Sequence, residues 1–151
     1  MCGALRALLR RAGDGERLFV YWRARAWHDV HADDLSAYLH ERTGIHLTAK
    51  DFRTWHATVL AAVALAVAEP VTAESRTARK RAETRTVREV ARCLGNTPAV
   101  CRSSYINPRV IELFEEGRTI APALGRLGAG SSLGGPATQG PIEEALLRLL
   151  A

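Results

Sequence analysis

Arg81, Arg85, Arg88 and Arg92 follow one another at steps of four, three and four, which sets four guanidinium groups on one face of a helix. A guanidinium presents a fixed fork of N–H donors and stays charged at any working pH, so a row of them suits phosphate. The row lies within a wider basic stretch. Residues 70–105 carry eight Lys/Arg against three Asp/Glu, and so hold the whole excess of a chain whose net charge is +5. Nucleic acid is the polyanion such a localised surface suits, with a solvated Arg-rich helix face as the plain alternative. Other chemistries find less support. His28, His31, His40, His46 and His56 form no HExxH pattern, and Cys2, Cys93 and Cys101 form no CxxC pair, so no metal site is expected. Three cysteines without a framework also fit a reducing cytoplasm, with Cys93 and Cys101 as small buried hydrophobes.

The elements that carry these residues read as helices in a chain of 151 residues, long enough for a sizeable core. Hydrophobic residues make up 47% and charged residues 25%, an ordinary globular balance that argues against wholesale disorder. The longest apolar run, 59–68, falls short of the roughly 20 residues a bilayer span needs. Arg6, Arg10 and Arg11 break up the first leucines, so neither membrane insertion nor export is expected. Leu5, Leu8 and Leu9 predict a short helix before the turn cluster Gly13-Asp14-Gly15, and residues 18–22 predict a short strand. Asp33 and Asp34 open a helix that stops near Gly44. An Ala-rich helix runs from Ala49 to Glu69, where Pro70 is expected to stop it, with Phe52 and Trp55 in the core. The basic helix covers 75–94, its Val87, Val90, Ala91 and Leu94 opposite the arginines. Thr97-Pro98 and Asn107-Pro108 each read as an N-cap followed by proline at the first helical position, opening helices over 98–106 and 108–116. Residues 125–140 turn to Gly, Ser, Ala and Pro, a flexible linker, before a short amphipathic helix over 141–150.

Two stretches are more specific. One is KDFRTWHAT, residues 50–58; the other is LGNTPAVCRSSY, residues 94–105, which ends in Tyr105 nine residues after Asn96. With their flanks, LSAYLHERTGIHLTAKDFRTW and LGNTPAVCRSSYINPRVIELFEEG, they resemble the catalytic domain of the small bacterial and viral type IB DNA topoisomerases. The resemblance is strongest over 17–117. It implies a partial catalytic domain over 1–117, a mainly α domain of the DNA breaking-rejoining type with at most a short amino-terminal extended segment, and a Gly/Ser/Pro-rich tail over 118–151.

The resemblance also implies roles. Tyr105 is the nucleophile, whose phenolic oxygen conserves the phosphodiester energy in a covalent 3′-phosphotyrosine. Arg53 binds the non-bridging oxygens of the attacked phosphate, and Asn96 donates to the same phosphate from a position often held by histidine. Lys50 matches the lysine of a K-x-x-R pattern shared with tyrosine recombinases, one helical turn before Arg53. Arg79, Lys80, Arg81, Arg85, Arg88, Arg92 and Arg102 are the expected contacts to duplex DNA. Neither ATP nor metal is implied, and the chain is expected to act as a cytoplasmic monomer in a bacterial nucleoid. The family also has an arginine, a hairpin lysine and a DNA clamp upstream of the shared region. The chain opens after those positions and is expected to relax plasmid poorly by itself. A tyrosine recombinase fragment, a non-catalytic DNA-binding remnant and an unrelated helical interaction domain are the competing readings.

Overall fold

A computed structural model describes residues 3–11, 17–72, 75–127 and 136–151. Cys2, the Gly13-Asp14-Gly15 turn and the middle of the 125–140 linker lie outside the described residues. The chain is mainly helical, as its patterning predicts, and divides into two compact units, Met1–Ala49 and Lys50–Ala151.

The first unit contains α1 (Gly3–Leu9), β1 (Val20–Arg23), β2 (Ala26–Asp29) and α2 (Ala32–Thr43). The two strands form an antiparallel hairpin in which Tyr21 faces His28 and Trp22 faces Trp27. The first pair stacks at 5.5 Å and the second meets edge to face at 5.0 Å. The second strand is not signalled by the sequence. Its turn residues, Ala24 and Arg25, take φ of 50° and 63°, a left-handed conformation for which Asn or Gly is the usual marker. Asp34 accepts the His31 N–H at 2.8 Å and so closes the start of α2. Gly44 ends that helix with φ of 73°, where a side chain would be strained.

The second unit is built on α3 (Ala49–Thr72), α4 (Arg76–Leu94), α5 (Pro98–Ser104), α6 (Pro108–Glu115), α7 (Ala121–Leu127) and α8 (Pro136–Leu150). Pro70 does not stop α3, which runs on to Thr72. A proline this close to the end removes one backbone bond only, and the Thr72 hydroxyl donates to the Ala68 carbonyl at 2.9 Å across the same turn. α3 is long and apolar enough to cross a membrane, yet its Ala57, Ala61, Ala62, Leu65 and Ala66 lie in the core. α4 starts at Ser75, whose side chain accepts the Ala78 N–H at 3.2 Å, and ends at Gly95 with φ of 66°. Its Val87, Val90 and Ala91 are buried and Arg81, Arg85, Arg88 and Arg92 exposed, which is the two-faced arrangement the spacing predicts. The cluster they join includes Cys101, Val110, Phe114 and, from α8, Ile142 and Leu146. α8 is further tied to α3 by the Trp55 indole N–H, which donates to Glu143 at 3.0 Å.

Two expected core residues are not buried. Phe52 is 53% exposed, because it sits on the side of α3 away from Ala57 and Ala61. Cys93 is exposed because the covered face of α4 ends with Val90, Ala91 and the half-buried Leu94. Trp55 is half-buried against the core, and Cys101 is fully buried.

Candidate active site

Tyr105 follows directly on α5, a helix of seven residues that could not persist by itself in water. Caps and packing hold it. The Thr97 side chain accepts the Val100 N–H at 3.3 Å, Pro98 presets the first helical φ, and Cys101 plugs the core. At the other end the Tyr105 N–H donates to the Cys101 carbonyl at 3.1 Å. The phenol ring is half-buried.

Arg53 comes to that ring from the first turns of α3. Its guanidinium carbon lies 5.3 Å from the ring centroid, a cation–π contact, and one of its N–H groups donates to the Leu94 carbonyl at the end of α4. Four of five donors are left for an anion. Burial pushes the Cys101 thiol up, with the Arg53 charge pulling the other way.

Asn96 stands two residues beyond Leu94, in the turn that the left-handed Gly95 makes, with its own N–H donating to the Ala91 carbonyl at 2.9 Å. Its side-chain Nδ2 is buried and has no hydrogen-bond partner. A buried donor left without an acceptor costs about 1–3 kcal/mol. Arg53, from the first of the two stretches, therefore meets Tyr105 and the end of α4, both in the second. Lys50 does not join them in contact; it is exposed one helical turn before Arg53.

The expected DNA-facing cations differ in their surroundings. Lys80, Arg81, Arg85 and Arg88 line an open groove of about 460 Å³ with Thr77 and Thr84, and Arg88 continues into a second depression of about 370 Å³ beside Pro98 and Arg102. Arg92 is exposed in the last turn of α4. Lys80 and Arg102 are also partners of Glu83, a carboxylate only 2% exposed: the Lys80 ammonium is 2.7 Å away and Arg102 is ion-paired to the other oxygen. Burial pushes the Glu83 carboxyl up, but the two cations outweigh that and hold it below its ordinary value. Arg79 lies with Arg76, Lys80 and Glu115 around a smaller pocket of about 230 Å³.

Glu83 was legible in part. It falls four residues before Val87 and seven before Val90, on the apolar face, where a carboxylate demands a cationic partner. That its partner would be Arg102, on the helix that leads to Tyr105, was not.

The sequence model of one family, eukaryotic DNA topoisomerase I, catalytic core, matches residues 2–118. The chain belongs to that family. No curated protein matches it. Membership makes the chain a type IB DNA topoisomerase domain, with DNA as its substrate.

Proposed function

We propose that the chain opens and reseals one strand of duplex DNA through a 3′-phosphotyrosine on Tyr105, poorly when it acts by itself, and that it is of the small bacterial and viral kind. The Tyr105 oxygen attacks phosphorus, the bond to the 5′ oxygen breaks, and the 5′ oxygen leaves as a hydroxyl. The free end turns about the intact strand, and the hydroxyl attacks back and expels Tyr105. One phosphodiester is exchanged for another at each step, so no ATP is consumed. As charge builds on the non-bridging oxygens, Arg53 supplies a fixed cation and Asn96 an amide donor already desolvated. Lys50 adds a second positive charge one turn away. Arg81, Arg85, Arg88 and Arg92 hold the duplex by its phosphates, which gives strong salt dependence and little sequence preference. The protein acts as a monomer on chromosomal DNA in the cytoplasm.

The observation that carries this reading is the meeting of Arg53 with Tyr105, with a buried, unpartnered Asn96 amide two residues beyond the carbonyl that Arg53 holds. A duplex whose leaving 5′ oxygen is replaced by sulfur tests it, because a thiolate departs without needing a proton and the assay then depends on the nucleophile and the phosphate donors. Wild-type protein forms a covalent adduct with the 3′ end, Tyr105→Phe forms none, and Arg53→Ala forms it about 10²- to 10³-fold more slowly. An adduct that survives Tyr105→Phe, or a wild type that yields none, overturns the reading.

A further inference from the structure

The Ala-rich face of α3 carries one hydroxyl that the mechanism above does not use. Thr58 is 2% exposed and lies five residues after Arg53. Its Oγ1 accepts the backbone N–H of Asn107 at 3.1 Å. The single hydroxyl proton serves two carbonyls, that of Thr54 at 2.8 Å and that of Tyr105 at 3.3 Å. One side chain of the arginine's helix thus grips the chain on both sides of Ile106, immediately after the nucleophile.

We infer that Thr58 is a positioning residue for Tyr105, setting the distance between the phenol and Arg53 through the Tyr105–Asn107 backbone. The need for such a device follows from the local structure. α5 is too short to aim the residue that follows it, and Tyr105 sits where the helix has already opened, at φ −127° and ψ −30°. Ile106 is 3% exposed and anchors the turn by packing, but an apolar contact fixes depth better than angle. The Thr58 hydroxyl adds direction, since a donor and an acceptor on one atom must both be satisfied at one orientation of the turn. Arg53 and Thr58 ride on the same rigid helix, so phosphate binding at one and backbone grip at the other are held in a fixed relation. A threonine does this better than a serine in one respect: its methyl group locks χ1 against the helix.

The inference rests on Tyr105 being the nucleophile, and its test separates the two. Thr58→Val keeps the shape and removes the hydroxyl; Thr58→Ser keeps the hydroxyl and removes the methyl. On the sulfur-substituted duplex, Thr58→Val is expected to slow adduct formation at saturating protein by about 10- to 100-fold, the effect of a misplaced reacting atom. Duplex binding stays within about twofold, and Thr58→Ser recovers most of the rate. Equal rates for wild type and Thr58→Val overturn the inference and leave the nucleophile standing. So does a loss that Thr58→Ser fails to recover, or one matched by an equal loss of binding. A second measurement is independent of cleavage. In wild type the Asn107 amide resists hydrogen exchange and a ¹³C-labelled Tyr105 ring gives one sharp resonance; Thr58→Val exchanges that amide about tenfold faster and broadens or splits the Tyr105 signal. An unchanged Asn107 amide and Tyr105 resonance in Thr58→Val overturn the inference even if no adduct is seen with any variant.

Discussion

Between Met1 and Ala49, Val20 is the one buried residue among the described residues, while Phe19, Trp22, Tyr38 and Ile45 are each more than half exposed. Between Lys50 and Ala151, α3, α4, α5, α6 and α8 contribute to one cluster in which Leu65, Phe114 and Leu146 have almost no contact with solvent. The two units have similar sequence texture, with apolar and charged residues interspersed in both. They differ in what holds them together. The first is organised by neighbours in sequence: a hairpin ladder, the Arg17–Asp29 ion pair at 3.5 Å and local caps. The second is organised by side chains distant in sequence, and every residue of the candidate active site belongs to it. A site that must hold donors to a fraction of an ångström is found where packing is dense, and its supports, Cys101, Thr58 and Glu83, are all buried there.

The contrast is open to attack from both sides. The largest effect is expected from Leu146→Ala, which should cost about 2–5 kcal/mol in urea unfolding although it lies 41 residues beyond Tyr105. A cost below 1 kcal/mol would mean that α8 is not part of the unit's core. Next comes Glu83→Gln, at about 1–3 kcal/mol near neutral pH. The Glu83 carboxyl is held below its ordinary value in the fold, so its contribution is complete above the unfolded value and is lost as pH falls through the folded one. The stability gap between wild type and Glu83→Gln should therefore close in acid; a gap that widens there would contradict the ion-pair account. On the surface, Arg85→Ala should weaken duplex binding and lower the slope of log affinity against log salt by about one, whereas Arg23→Ala in the hairpin should leave the slope alone. Equal slopes for both would move the DNA contact off α4. The smallest effect belongs to Trp22→Ala, within about 0.5–1 kcal/mol for a ring already 57% exposed.

The same contrast explains what could be read from the sequence. The helices of the second unit announce themselves, because Ser75, Thr97-Pro98 and Asn107-Pro108 are local devices whose chemistry needs nothing beyond the next turn. Tyr105, Arg53 and Asn96 were legible as motif words. β2 was not, since Ala24 and Arg25 adopt a conformation their types do not advertise. The end of α3 lies past Pro70, because a proline one turn from a terminus lacks the effect it has in mid-helix. Thr58 is not legible as a site residue, and Glu83 only as a buried carboxylate in need of a cation, for a single reason: each takes its meaning from a partner that the fold brings over from elsewhere in the chain, Asn107 for one and Arg102 for the other.

The three tryptophans are divided between the units, and that gives the molecule a pair of optical signatures. Trp22 and Trp27 meet edge to face in the hairpin, close enough for their indole transitions to couple and produce a paired positive and negative band in far-ultraviolet circular dichroism. Trp55 stands apart, half-buried and hydrogen-bonded to Glu143, so its emission lies to the blue and shifts red when α8 leaves α3. Followed together during heating, the couplet reports the hairpin and the emission reports the core that holds Tyr105. The order in which they fade is the order in which the chain comes apart.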